Sequence, residues 1–141
     1  MHSSNPFLRS YQQTRAAEVF TASPHKLIEI CLAGALERVA IAKGAMQHGD
    51  MGEKARRISA AAANVEHLKM SLDMKAGGDL ARNLDSLYDY VIRRLTQSNA
   101  GNELEGLDEV TGLLEQIKSG WDALAANEVR AVTTQLLGVA A

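Results

Sequence analysis

Apolar residues recur along most of the chain at alternating steps of three and four, and this spacing predicts four amphipathic helices. The four apolar stripes are, in chain order, Ile28, Leu32, Ala35, Val39, Ala42 and Met46; Ile58, Ala61, Val65, Leu68 and Leu72; Leu80, Leu84, Leu87, Val91 and Leu95; and Leu107, Val110, Leu114, Ile117, Trp121 and Leu124. The alternation of β-branched and aromatic residues that is typical of strands is missing. The pattern therefore predicts an all-α protein.

Each predicted helix begins at a residue that is suited to capping it. These N-cap residues are Ser23, Asp50, Asp79 and Asn102. Pro24 fits the first helical position, where its missing N–H costs nothing, and Gly49 provides a stop for the first helix. Four helices of about 20–24 residues, joined by short links, predict an antiparallel up-and-down four-helix bundle.

The bundle is expected to occupy residues 23–126, as one domain. The N-terminal segment, residues 1–22, is polar apart from a few apolar residues. We expect it to be partly mobile, or to dock on the bundle as a short segment or helix. The C-terminal tail, residues 127–141, carries a weaker apolar pattern and either extends the fourth helix or packs back on the bundle.

Charge and composition argue against several classes of function. The 15 Lys and Arg residues nearly balance the 17 Asp and Glu residues, so no strong field attracts nucleic acid or anionic lipid. The N-terminus lacks the apolar core of a signal peptide, and no apolar run approaches the roughly 20 residues that span a bilayer. The single cysteine, Cys31, excludes an internal disulfide framework. We therefore expect a cytoplasmic protein with no nucleic-acid partner and no membrane insertion.

Candidate chemical sites do not fit the patterns of catalysis or metal binding. Di-iron sites in helical bundles use Glu-x-x-His motifs, but the residues three before His25, His48 and His67 are not glutamate. His25 and Glu29 are interpreted as a surface pair, and the Ser23 hydroxyl is committed to its helix cap. Neither a Gly-rich dinucleotide motif nor a P-loop occurs. The sequence therefore predicts no enzyme, no cofactor and no metal site.

The stretch NLDSLYDYVIRRL, residues 83–95, combines carboxylates, tyrosines and arginines on one predicted helix. At about 100° per residue, Tyr88 falls on the core side with the leucines. Two surface ion pairs are predicted on the opposite side, Arg82 with Asp85 and Asp89 with Arg93. We therefore interpret the carboxylates as a solvated ladder rather than as an acid–base pair.

Four residues on one edge of the same helix form what we call the flank stripe: Asn83, Leu87, Tyr90 and Arg94. Aromatic and arginine side chains are enriched at protein interfaces. The stripe is therefore either a surface that binds a protein partner or an ordinary boundary between core and solvent.

Three glycines, Gly106, Gly112 and Gly120, lie inside the predicted fourth helix. Each one costs up to about 1 kcal/mol of stability relative to alanine. A sequence selected only for bundle stability would rarely keep three of them. Either they let another helix or an extended chain approach closely, or they have no function.

Five segments carry a resemblance to a known family. In chain order they are SYQQT, TASPHKLIE, GAL, GGDLARNLDSLYDYVIRRL and LDEVTGLLEQIKSGWDAL. Their order and spacing resemble those of the flagellar secretion chaperones of the FliS type, over residues 8–124. The resemblance implies a cytoplasmic helical bundle that is not an enzyme and needs no cofactor. It also implies a partner, the C-terminal segment of flagellin, which is disordered before the filament assembles.

The resemblance further implies how such a chaperone acts. It prevents flagellin from polymerising prematurely and assists its export by the flagellar type III secretion system, whose export apparatus components are further candidate partners. Leu8 and Tyr11 match the family's N-terminal tail, which docks near the client site and can be displaced. The flank stripe matches the family's fingerprint on the third helix, so all four of its residues are expected to bind the partner.

One part of the first helix both matches the family and departs from it. Gly34 and Ala35 match the family's Gly-Ala pair, where small side chains permit close packing. The family commonly has an aromatic residue and an aspartate before this pair, whereas this chain has Leu32 and Ala33. Client preference at this point of the helix is therefore open.

The residues alone favour a less specific function. A generic all-α adaptor or regulator that binds a different protein partner explains the periodicity equally well, and only the resemblance selects flagellin. The sequence also leaves open which flagellin is the client, and whether the free protein is a monomer or a homodimer.

Overall fold

The computed structural model describes the backbone of residues 24–136 and the side chains of residues 25–124. Within this range four helices follow one another: α1, Pro24–Gln47; α2, Met51–Met70; α3, Met74–Gly101; and α4, Leu104–Leu136. Helices α1 and α3 each pack against both α2 and α4, and short links make consecutive helices antiparallel. The predicted all-α up-and-down bundle is confirmed, while the predicted docking of residues 1–22 lies outside the described residues.

The core is formed by the predicted stripes, one from each helix. Leu32 on α1, Leu68 on α2, Leu95 on α3 and Leu114 on α4 are all fully buried. Burying a leucine side chain stabilises the fold by about 1.5–3 kcal/mol. Tyr88 is buried as predicted, and this burial raises the pKa of Tyr88 to about 12.

Two leucines that the periodicity assigns to the core, Leu80 and Leu124, are instead 59% and 50% exposed. Both lie at the end of the bundle where α1 and α3 begin. Leu80 follows a kink in α3, and Leu124 comes three residues after Trp121, whose Nε1 donates to the carbonyl of His25 near the start of α1. The assignment is wrong because the neighbouring helices end at this level, while α4 continues as a helix to Leu136.

Pro24 and Asp50 occupy their predicted positions at the starts of α1 and α2, while the predicted cap Ser23 lies outside the described residues. Pro24 is the first residue of α1, and the Asp50 carboxylate accepts a hydrogen bond of 3.1 Å from the amide of Glu53 to cap α2. Gly49 lies between the two helices with φ +78°, a conformation that favours glycine.

The other two predicted helix starts agree only in part. Asp73 caps the first turn of α3, and its carboxylate accepts hydrogen bonds from Lys75 and Ala76 at 3.1 and 2.9 Å. A non-helical residue, Gly78, then divides α3, and the longer part of the helix follows from Asp79. Asn102 ends α3 as a left-handed C-cap with φ 51° and does not begin α4. Aspartate and asparagine suit several positions at helix ends, so composition alone does not distinguish them.

A buried lysine fastens the turn between α3 and α4 to the first turn of α2. Lys54 is 5% exposed, and its Nζ donates to the carbonyl of Asn99 at 2.9 Å and to Oδ1 of Asn102 at 2.6 Å. The ammonium therefore lies at the negative end of the α3 dipole and bonds one of its terminal carbonyls. Sequence reasoning missed this contact because lysine is rarely buried.

Within residues 24–136, none of the helices has the combination of length and apolar character that crossing a bilayer requires.

Candidate functional site

A cleft of about 800 Å³ lies between α1 and α2. Its apolar lining comes mainly from α1, through Leu27, Ile30, Ala33 and Ile41. These residues are exposed or half-buried and do not belong to the core cluster. At 100° per residue they lie on the side of α1 roughly opposite its core stripe. Helix α1 is therefore apolar on two faces, and residues 25–124 leave the second face exposed or half-buried.

The base of the cleft is a close contact between the two helices. The side-chain amide of Asn64 donates to the carbonyl of Cys31 at 3.1 Å, and the Cys31 thiol donates to the carbonyl of Asn64 at 3.1 Å. A Cβ on Gly34 would lie 2.7 Å from Nδ2 of Asn64, so a larger residue here would require the Asn64 side chain to move. Ala35 is fully buried, and the expected close packing at the Gly-Ala pair is confirmed.

Cys31 is half-buried in the cleft wall, and this burial raises the pKa of its thiol. The protonated thiol serves as a hydrogen-bond donor, which fits a structural role better than a reactive one. Among the described side chains, no cluster of three or more His, Cys, Asp and Glu residues is arranged to hold a metal ion.

Charged residues line the rim of the cleft. Arg57 donates from Nε to the Glu53 carboxylate at 2.6 Å, and the hydrogen bonds from Arg57 and then Arg56 lower the pKa of Glu53. Arg38 folds back along α1 and donates to the carbonyl of Gly34 at 3.1 Å. The cleft thus combines an apolar lining with arginine side chains.

The flank stripe lies along the seam between α3 and α4, away from the cleft. The Tyr90 hydroxyl donates to Glu109 at 2.8 Å, and Arg94 donates to Glu109 and Glu103 at 2.9 and 2.8 Å. The hydrogen bond to Glu109 raises the pKa of Tyr90, and it is also the main reason why the pKa of Glu109 is lowered. Tyr90 and Arg94, two of the four residues of the flank stripe, therefore both bond to Glu109 and connect α3 to α4.

The other two residues of the flank stripe remain more open. Asn83 is exposed and Leu87 is half-buried, so a partner has access to this half of the stripe. Tyr90 is still 37% exposed although its hydroxyl is engaged. The predicted site residues Leu8 and Tyr11 lie outside the described residues.

The two ion pairs predicted within α3 are wrong. Asp85 and Asp89 face Lys69 on α2, whose Nζ lies 3.9 and 3.0 Å from their carboxylates. Arg82 pairs with Asp79 instead. Arg93 lies over the Tyr90 ring, 6.0 Å from its centroid. A neighbouring helix offers Asp85 and Asp89 a partner that spacing within one helix cannot show.

The three glycines of α4 divide into two groups. Gly106 is buried, and a Cβ there would overlap the Ser98 hydroxyl of α3, so this glycine serves internal packing. Gly112 and Gly120 are exposed, and a Cβ at either position would meet nothing within 4 Å. The expected close approach of another helix is therefore found at Gly106, where that helix is α3 of the same chain, and it stays a prediction for Gly112 and Gly120.

The cleft was not among the predicted sites, although the sequence holds its signal. Leu27, Ile30 and Ile41 follow helical spacing, but they fall off the core stripe of α1. Apolar residues lie on two sides of α1, whereas packing against a single core requires only one apolar side.

A helical bundle whose first helix leaves a second apolar face open is typical of proteins that bind another polypeptide through a groove. Residues 7–128 match the family described as Flagellar protein FliS. The flagellar secretion chaperone FliSB of Pseudomonas aeruginosa is 44% identical over 119 residues, 84% of this chain and 94% of that protein. The flagellar secretion chaperones FliS of Vibrio cholerae and Salmonella typhimurium are both 38% identical, over 83% and 84% of this chain and 87% and 89% of those proteins.

The chain therefore belongs to the FliS family. This is a family of chaperones for flagellar secretion and not of enzymes, and membership gives the chain a role in flagellar export. Such a role implies a flagellar protein as the partner.

Proposed function

We propose that the protein is a cytoplasmic chaperone that binds the disordered C-terminal segment of flagellin, prevents its premature polymerisation and assists its export by the flagellar type III secretion system. The observation that carries the proposal is the open apolar face of α1 in the α1–α2 cleft. Family membership supports flagellin as the client, because a flagellar chaperone needs a surface that accepts an unfolded flagellar protein.

The cleft suits an amphipathic helix that forms as the client binds. Burial of apolar surface contributes roughly 25 cal/mol per Å². Ordering a disordered segment offsets about 2–5 kcal/mol of this gain. The resulting affinity is moderate, which allows the chaperone to release its client to the export apparatus.

Two further surfaces complete the proposed client path. We propose that the N-terminal segment, with Leu8 and Tyr11, docks near the client site in the free chaperone and is displaced by the client. The flank stripe is a second contact, made mainly through the open residues Asn83 and Leu87 and the exposed ring of Tyr90.

Size-exclusion chromatography with the C-terminal segment of the host's flagellin tests the proposal. We expect a stoichiometric complex that elutes ahead of either component at tens of micromolar. If the two do not co-elute at this concentration, the client is not flagellin, and a generic adaptor function takes its place. A segment of equal length from another part of the flagellin chain is the matched control.

Replacing Leu87 and Tyr90 together with alanine tests the flank stripe. We expect the affinity for the flagellin segment to fall about tenfold, because a central interface tyrosine contributes about 1 kcal/mol or more and the leucine loses buried apolar surface. Helix content, measured by circular dichroism, stays nearly unchanged, since neither residue belongs to the core cluster. Tyr90→Phe is the control that removes only the bond to Glu109. Unchanged affinity in the double variant would show that the stripe is an ordinary boundary.

A further inference from the structure

Arg38 occupies an unusual position in the α1–α2 cleft. It is half-buried, and its guanidinium lies back over Gly34, where it bonds to a backbone carbonyl at 3.1 Å. A Cβ at Gly34 would lie 2.8 Å from the same guanidinium nitrogen, so the glycine makes room for this orientation. The charged group is therefore held in the cleft, beside the apolar lining.

The charge of Arg38 is not matched by a carboxylate among residues 25–124. Other described arginines have such partners: Arg56 and Arg57 bond to Glu53, Arg82 bonds to Asp79, and Arg94 bonds to Glu103 and Glu109. Arg93 lies over the ring of Tyr90 and does not line the cleft. Arg38 thus differs from the other arginine of the cleft, Arg57, in having only a neutral acceptor.

The surroundings of Arg38 favour a carboxylate from outside the described residues. A guanidinium presents five N–H donors in a planar fork that matches a carboxylate, and one carbonyl uses only part of this capacity. When an apolar helix covers a pair formed there, water screens its attraction less, and a client without the carboxylate leaves the guanidinium buried without a counter-charge. The acidic residue of the cleft, Glu37, is exposed at the rim and forms no ion pair with Arg38.

We propose that Arg38 is a specificity-determining residue, which selects a client helix that carries a carboxylate beside its apolar face. The inference rests on the proposed function and deepens it. The apolar side chains of the client helix contact Leu27, Ile30 and Ile41, and its Asp or Glu accepts hydrogen bonds from Arg38. Helices with the same apolar face but without the carboxylate bind more weakly.

Isothermal titration calorimetry of the full chain with the flagellin C-terminal segment provides the test. We expect Arg38→Gln to weaken binding by about tenfold or more, as for the loss of a charge pair at an interface. Arg38→Lys restores part of the loss, because it keeps the charge but not the fork. Arg56→Gln is the matched control, since it removes the same charge from an exposed residue outside the cleft. Its affinity stays within about twofold of the unchanged chain.

Variants of the client identify the partner group. Each Asp and Glu of the flagellin segment is changed in turn to Asn or Gln and titrated against the unchanged chain and against Arg38→Gln. We expect one position at which the client change weakens binding to the unchanged chain and has little further effect on Arg38→Gln. Such non-additivity is the signature of direct interaction.

Distinct results overturn the inference and the proposed function. If the unchanged chain binds the segment and Arg38→Gln binds as well as Arg56→Gln, only the inference fails. The inference also fails if no client carboxylate shows non-additivity, since Arg38 then acts on the cleft itself. Glu18 belongs to the N-terminal segment of the chaperone. If Glu18→Gln is non-additive with Arg38→Gln and no client residue is, the N-terminal segment is the occupant and the inference fails. No binding by the unchanged chain overturns the proposed function, and the inference with it.

Discussion

Replacing both Ile30 and Ile41 with glutamate is expected to weaken binding of the flagellin segment by about 100-fold or more. Both residues line the cleft, and neither belongs to the core cluster or to the residues packed against it. In the complex the two new carboxylates would face an apolar helix, and each unsatisfied buried polar group costs about 1–3 kcal/mol. The measurement is titration calorimetry at a fixed salt concentration.

The same substitution is expected to leave the free bundle folded. Glutamate is a good helix former, and both positions are partly open to water in the free protein. A chain with Ser59→Glu and Gln116→Glu is the matched control, because it adds two charges at exposed residues on α2 and α4 that do not line the cleft. Equal affinities for the cleft variant and the control would place the client elsewhere on the bundle.

Two glycine substitutions in one helix are expected to change stability in opposite directions. Gly106→Ala destabilises the protein by about 1–3 kcal/mol, because the new Cβ overlaps the Ser98 hydroxyl and forces α3 and α4 apart. Gly112→Ala stabilises it by up to about 1 kcal/mol, because its Cβ meets nothing and alanine favours the helix. Chemical denaturation followed by circular dichroism measures both changes.

A second substitution shows whether the Ser98 hydroxyl causes the effect at Gly106. Ser98→Ala removes the overlapping oxygen, so we expect the double variant with Gly106→Ala to recover part of the lost stability. Its remaining deficit comes from the Ser98 Cβ, which would lie 3.1 Å from the new methyl group. If Gly106→Ala is as stable as Gly112→Ala, the helices approach less closely at this point than described.

The bundle itself could be predicted because its core depends on a period that one helix displays alone. The stripes through Leu32, Leu68 and Leu114 are continuous in the sequence, and all three residues are fully buried. Leu80 and Leu124 follow the same period but are exposed, because burial also requires a facing helix at that level. Periodicity shows which face of a helix is apolar, but it does not show where the neighbouring helices end.

The candidate site could be predicted only in part, because its contacts join residues that are distant in the chain. The flank stripe was found from spacing on α3, but the bonds of Tyr90 and Arg94 to Glu109 depend on the position of α4. Likewise, Lys69 replaces the partners expected for Asp89 within its own helix. The cleft depends on a second apolar face of α1, which a single core stripe does not predict.

The contact of Lys54 with Asn99 and Asn102 makes the two ends of the bundle unequal. At this end α2 and α3 are fastened together by a buried ammonium group that bonds a terminal carbonyl of α3 and the side chain of its C-cap residue. At the opposite end Leu80, Met70 and Met74 lie in contact with water around the α2–α3 connection. We therefore expect backbone amides at the α2–α3 connection to exchange with solvent faster than those of the α3–α4 turn that Lys54 holds.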